Sequence, residues 1–346
     1  MNTAILGFSQ SGKKSLFSLL SGRDAAAVTH REGEAIEAVA RVRDPRVDRI
    51  AEMVKPLKVT YADLHIALCA DVAMGSEKRE WLDAARRADL LCLVVRAFTD
   101  ESVYHPAGSV SPERDRGDLE AELLLADLEV IEKRLERIGK EKRSGQTPAQ
   151  VLEEKTLARC KKVVEEGKPL SNEEFLPPER QSVASLGLLS LLPVLWVYNV
   201  NESALKDRPH DAKGVFSVSC RIEREIMGFE DPEERRQYLA DLGVESSGLD
   251  RMAAAAYDAM GLMSFYTMGE KEVRAWTIRK GSLAPTAGGK IHTDIERGFI
   301  RVEVIKYDEL IAAGSEAAVR AQGKVRLKGK DYVIEDGDIC LFRFSV

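Results

Sequence analysis

The chain opens on Met1-Asn-Thr-Ala-Ile-Leu-Gly7-Phe-Ser-Gln-Ser-Gly12-Lys13-Lys14-Ser15, an apolar run broken by a loop bounded by two glycines. It reads as a strand, a phosphate loop and the start of a helix. In the pattern Gly, four residues, Gly, Lys, then Ser or Thr, each part meets a triphosphate differently. Gly7 and Gly12 meet the spacing and let the backbone curl, so that N–H groups from Gln10, Ser11, Gly12 and Lys13 can face phosphate oxygens at a helix N-terminus. Lys13 would lie over the β and γ phosphates. The next position should offer Mg²⁺ a hydroxyl, but Lys14 stands there and the hydroxyl arrives one residue later, at Ser15.

Outward from the loop, Leu16-Phe17-Ser-Leu-Leu20 continues as an amphipathic helix. Ser21 to Gly33 is irregular, with Thr29 the single candidate for a switch hydroxyl. Ala35 to Arg43 alternates as a strand. Asp44 before Pro45 is a helix-capping signature, and Val47, Ile50 and Val54 fall on one face of the helix that follows. Lys58 to Ile66 is read as the next strand, with Asp63 at its end to hold Mg²⁺ through water. Ile66 then stands where a GTPase places a γ-phosphate-sensing glycine. Leu90 to Val95 is a continuous apolar run, as expected of a strand buried on both faces.

From Asp118 the pattern changes. Ala121, Leu124, Leu128, Ile131, Leu135 and Ile138 step by threes and fours, a heptad seam. A second helical stretch over 150–166 carries Val151, Leu157, Cys160 and Val164, which completes a helical hairpin. Lys133, Arg134, Arg137, Lys140, Lys142 and Arg143 make its tip locally basic.

Leu192 to Tyr198 returns to a buried strand followed by Asn199-Val-Asn-Glu202, where GTPases carry Asn-Lys-x-Asp. A carboxylate one methylene longer does not keep the bidentate grip on guanine. Val215 to Arg221 reads as one more strand, with Ser219 at the loop that contacts the base. Past Gly269, strands at 273–278, 299–304, 324–327, 332–334 and 339–344 surround a single helix at 307–313, a small β-grasp domain.

With 346 residues the chain is long enough for two or three cores, and a net charge of −6 excludes a wholesale polybasic nucleic-acid binder. Five scattered cysteines without a CxxC pair point to buried thiols rather than a zinc site. The N-terminus lacks a signal-peptide pattern and no apolar run is long enough to cross a bilayer, so the expected compartment is the cytoplasm, with no membrane partner.

These pieces, in this order, resemble the YchF family, the Obg-like ATPases, over nearly the whole chain. The likeness is strongest in Asp44-Pro-Arg-Val-Asp-Arg-Ile-Ala-Glu-Met-Val-Lys-Pro56, in Asn199-Val-Asn-Glu202, and from Lys271 through Gly289-Lys-Ile-His-Thr-Asp-Ile-Glu-Arg-Gly-Phe-Ile-Arg301. It implies an α/β P-loop, GTPase-like domain over 1–115 and 183–265, a coiled-coil hairpin insertion over 116–182 and a C-terminal β-grasp TGS domain over 269–346. It also implies ATP or ADP in preference to GTP, through Asn199 and Glu202, and association with the ribosome or RNA. The nucleotide site expected is Gln10, Ser11, Gly12, Lys13, Lys14, Ser15, Asn199, Glu202 and Ser219.

The departures from the family cluster at Lys14, Ile66 and Ala67, so hydrolysis is expected to be weak or lost. A second reading is an Mg²⁺-dependent ATPase or GTPase in which Ser15 and Asp63 hold the metal. A third is an interaction scaffold with an empty nucleotide pocket.

Overall fold

The fold is taken from a computed structural model that describes residues 2–24, 28, 34–76, 78–142, 145–205, 214–229, 231–244 and 247–345. Thr29 and Arg143 lie outside the described residues. The first seven strands are β1 (Asn2–Gly7), β2 (Ile36–Val42), β3 (Lys58–Thr60), β4 (Ala62–Leu68), β5 (Leu90–Ala97), β6 (Val194–Val200) and β7 (Val215–Val218). Five follow: β8 (Leu262–Thr267), β9 (Glu272–Arg279), β10 (Phe299–Lys306), β11 (Arg326–Lys328) and β12 (Asp338–Phe344). They form two six-stranded sheets, ordered β2-β4-β1-β5-β6-β7 and β11-β10-β12-β8-β9-β3. The chain divides into two compact units, Met1–Val39 with His65–Leu249, and Ala40–Leu64 with Asp250–Val346.

In the first unit β4, β1, β5, β6 and β7 run parallel. Ala4, Ile5, Leu6, Leu90, Leu91 and Leu93 have no exposed surface, the two-sided burial that a parallel sheet between helix layers imposes. The apolar run at Leu90 is therefore a central strand. Val215 to Arg221 is not one strand throughout: β7 stops at Val218, and Ser219 precedes a helix over Cys220–Gly228.

A 30-residue helix, Pro112–Glu141, and a second, Pro148–Glu165, make the hairpin. Leu124, Ile131 and Ile138 pack with Leu157, Cys160 and Val164, while Leu119, Leu123 and Ala126 of the same long helix enter the core that holds Trp81, Leu93 and Trp196. Ala121, read as part of the seam, is exposed, because the seam hands over to the sheet-facing stripe below Leu124. Three cations of the basic tip are paired: Arg134 grips Glu153 at 2.6 and 2.7 Å, Lys140 meets Glu136 and Lys142 meets Glu154.

The second unit differs from the sequence reading in extent. Residues 40–64 belong to it, because β3 pairs in parallel with β9 and Arg46 bonds Asp336 at 2.6 Å. Asp44 caps its helix by accepting from Arg46 N at 3.0 Å, as its place before Pro45 predicts. Phe265, Val302, Val304 and Phe342 centre the unit's core, with the two phenylalanine rings edge to face at 5.9 Å. The single expected helix over 307–313 is present, but so are helices Ala284–Ile291, Thr293–Arg297 and Glu316–Ala321. Within the first of these, Gly288 allows close packing: a Cβ there would stand 2.7 Å from Ile295 Cγ2.

Candidate functional site

The carboxyl ends of β1, β5, β6 and β7 open into one cavity of about 1160 Å³, where open α/β sheets hold their ligands. Gln10, Gly12 and Ser15 line it from the glycine loop, Phe98 and Thr99 from the end of β5, and Glu202 from the end of β6.

The loop curls because two residues take left-handed backbone: Gln10 at φ 62° and Gly12 at φ 95°. Gly12 ends the loop, and Leu16 N donates to its carbonyl at 2.9 Å as the first bond of helix Lys13–Ser21. Ser11 N in the preceding turn donates to Phe8 O at 3.3 Å, while the N–H groups of the helix's first turn have no partner within the helix and are left for a ligand. Neither glycine tolerates a side chain. On Gly7 a Cβ would lie 2.6 Å from Val94 O and 2.7 Å from Ser11 Oγ, and on Gly12 it would lie 2.1 Å from Asn199 Nδ2.

Asn199 is the brace of this arrangement. Buried at the end of β6, it donates from Nδ2 to Ser11 O at 3.2 Å and accepts at Oδ1 from Cys220 N at 3.1 Å. One amide thus ties the glycine loop to the start of the Cys220 helix, and Asn199 lines the cavity as well. Glu202 begins a short turn at the cavity rim with its carboxylate exposed, and Ser219 is buried in the wall. Ser11 Oγ is buried with no hydrogen-bond partner, an acceptor and donor left over beside the loop.

Sequence reading missed three supports of the cavity. Asn201 accepts from Thr99 N at 2.9 Å and donates to Thr99 O at 3.3 Å. Arg96, buried within β5, donates to the carbonyls of Phe98, Asp100, Val103 and Tyr104 and stacks 4.5 Å from the Phe98 ring centroid. An arginine closing an apolar run was the available signal. The third, Asp71, stands beside the glycine loop and not in the cavity lining, and its carboxylate forms an ion pair with the Lys13 ammonium.

Asp71 also corrects the reading of the metal side. The stretch read as one strand from Lys58 to Ile66 is two strands in different sheets, and β4 continues to Leu68. Parallel pairing sets Asn2 beside His65 and Ile5 beside Leu68. Asp63 therefore begins β4 and lies about 20 Å from the level of the loop, at 3.3 Å per residue. Cys69 N donates to Ile5 O and Val72 N to Gly7 O, both at 3.1 Å, so the segment level with the loop is Cys69 to Val72. Ile66 and Ala67 lie inside the strand and not at its outlet. Lys14 is exposed and Ser15 sits one residue beyond the hydroxyl position, although it does line the cavity.

Magnesium is the metal this fold implies, and the donors do not fit it. No hydroxyl follows Lys13 directly, Leu68 ends the strand, and Asp71 is engaged by an ammonium. Among the described residues no group of three or more His, Cys, Asp or Glu side chains could hold a metal ion. The nucleotide side does fit: Gln10 and Gly12, both left-handed, line the cavity, and the same loop carries the buried Lys13 and the unpartnered Ser11 hydroxyl.

Chemically reactive thiols are not part of the site. All five cysteines are free and buried, and burial pushes those of Cys69, Cys92 and Cys220 up to about 12. No helix among the described residues is long and apolar enough to cross a membrane.

The architecture is shared along the full length of known proteins. The chain is 37% identical over 366 residues to the "Ribosome-binding ATPase YchF" of Bacillus subtilis, covering all of both chains. It belongs to the YchF family. The YchF of Escherichia coli O157:H7, of the same printed name, is 33% identical over 99% of this chain and 98% of its own. "Obg-like ATPase 1" of Caenorhabditis elegans is 32% identical over all of this chain and 92% of its own. The solved structure of the Schizosaccharomyces pombe YchF GTPase superposes with a TM-score of 0.83 at 30% identity, over 99% of this chain and 97% of that one. The family model YchF-GTPase_C, described as "Protein of unknown function (DUF933)", matches residues 262–345, the strands β8 to β12 of the second unit. The fold is thus the YchF arrangement, an α/β P-loop sheet followed by the YchF C-terminal module.

Proposed function

We propose that this YchF family member is a nucleotide-binding protein that holds an adenine nucleotide in the cavity at the sheet's carboxyl edge, with weak or lost hydrolysis, and that acts in association with the ribosome. The observation that carries it is the glycine loop braced open by Asn199 at the mouth of that cavity. Backbone N–H groups of Gln10 and of Gly12 to Ser15 would take the phosphates, Ser11 N being held by Phe8 O, with Lys13 as their cation. Glu202 and Ser219 would flank the base. A glutamate at the rim in place of aspartate, with Asn199 already spent on Ser11 and Cys220, supports adenine over guanine. Weak hydrolysis rests on the donor set that does not fit Mg²⁺. Ribosome association rests on the names of full-length relatives.

Isothermal titration against ATP, ADP and GTP tests this reading. Adenine nucleotides bind, GTP binds more weakly, and Lys13→Ala lowers adenine-nucleotide affinity by about tenfold or more, the worth of one charge-assisted contact. Absence of binding by all three, with Lys13→Ala indistinguishable from the parent, refutes it.

A further inference from the structure

The Lys13 side chain is 6% exposed, and a cation on a side chain so deeply placed requires an opposite charge. In a phosphate loop the ligand ordinarily supplies that charge through its β and γ phosphoryl groups. Here a side chain of the protein supplies it. The Asp71 carboxylate, half exposed, pairs with Lys13 Nζ.

The position of Asp71 is built in. Bonds from Cys69 N to Ile5 O and from Val72 N to Gly7 O fasten the backbone on both sides of it to β1. Beyond it, Gly75 N donates to the buried Glu122 carboxylate at 2.9 Å, and Arg79 reaches Glu122 at 3.4 Å and Glu129 at 2.7 Å. The segment that would swing with the terminal phosphate in a nucleotide switch is therefore tied down at both ends, and Asp71 can change only its side-chain rotamer.

We infer that Asp71 is a specificity-determining residue that makes this site select nucleoside diphosphate over triphosphate, by holding on Lys13 the negative charge that a γ-phosphate would otherwise bring. The inference rests on the nucleotide-binding reading above. An ammonium has three N–H donors, so one can stay on Asp71 while the others serve a β-phosphate. A γ-phosphate must compete with Asp71 for the same cation and would face its carboxylate at close range. The poor fit of the donors to Mg²⁺ leaves that repulsion without an offset. A diphosphate ends before the conflict begins.

Titration of ADP and ATP into the full-length protein tests the inference, with parent, Asp71→Asn and Asp71→Ala each measured in EDTA and in Mg²⁺, and thermal melts verifying the fold. The parent binds ADP about 10-fold to 100-fold more tightly than ATP, and both substitutions raise ATP affinity by a like factor while moving ADP by less than about threefold. ATP binding that appears only in the two variants supports the same conclusion. Equal affinity of the parent for ADP and ATP, or an ADP preference that survives both substitutions, overturns the inference while leaving nucleotide binding intact. A preference of the parent for ATP that needs Mg²⁺ and vanishes in Asp71→Asn overturns it too, making Asp71 a metal ligand. Failure of all three proteins to bind either nucleotide removes the nucleotide-binding reading, and the inference with it.

Discussion

The two walls that flank the glycine loop differ in kind. On the side of β6 and β7, Asn199 joins the glycine loop to the Cys220 helix through two buried hydrogen bonds, and a Cβ on Gly12 would strike that amide. On the side of β4, the strand ends at Leu68, the outlet carries Asp71 on the loop lysine, and the segment beyond is fastened to the long helix by Glu122. The first wall shapes a cradle and the second neutralises it from within. Grip and release are separable properties of a phosphate loop: the backbone geometry that receives phosphates depends on glycine and one asparagine, and the response to the terminal phosphate depends on the neighbouring strand's outlet.

Gly12→Ala breaks the wall of β6 and β7 most severely. A left-handed backbone costs an alanine about 1–2 kcal/mol, and displacing Asn199 adds an overpacking cost of about 1–3 kcal/mol. Chemical denaturation is expected to show a loss of about 2–5 kcal/mol, with nucleotide binding abolished. Retained stability and binding would mean that the loop can re-form around a side chain, and the contrast between the walls would disappear.

Glu122→Ala tests the other wall. It strips Gly75 N of its acceptor and Arg79 of a buried partner, for an expected loss of about 1–3 kcal/mol. The telling readout is hydrogen exchange over 72–80. Protection there should fall while the glycine loop keeps its own, because the bonds that hold the loop, from Asn199 to Ser11 O and from Val72 N to Gly7 O, do not involve Glu122. A matching loss in both places would show that the two walls act as one cooperative block.

How much of this was legible from sequence follows the same division. The glycine loop is a local motif whose spacing, preceding apolar strand and following helix agree with one another, so residues 1–20 could be read correctly as strand, loop and helix. Asp44 before Pro45 is equally local, and its cap forms as read. The outlet of β4 was not legible, because it depends on register, a long-range property set by pairing with β1. Asp63 matched a pattern by residue type alone, while Ala70 and Asp71, level with the loop, carry no motif. Residues 40–64 misled for a related reason: their sequence lies between two strands of the first sheet, but β3 pairs with β9, more than two hundred residues onward.

Asp63→Ala is the smallest expected effect and the one that separates register from residue type. Asp63 is exposed at the start of β4, with its side chain on the face opposite Ala62 and Leu64, which are buried. Its removal should leave stability within about 0.5 kcal/mol of the parent, as for an ordinary surface position. Nucleotide affinity should be unchanged with or without Mg²⁺, because about 20 Å of strand, at 3.3 Å per residue, separates it from the loop. Asp71→Asn, by contrast, should alter the response to ATP. If Asp63→Ala instead abolishes an Mg²⁺-dependent gain in ATP affinity, then β4 must be shifted along β1 from the pairing of Ile5 with Leu68, and Asp71 could not be on Lys13. Two aspartates eight positions apart on one continuous segment thus place the same strand in two incompatible registers, and one titration series chooses between them.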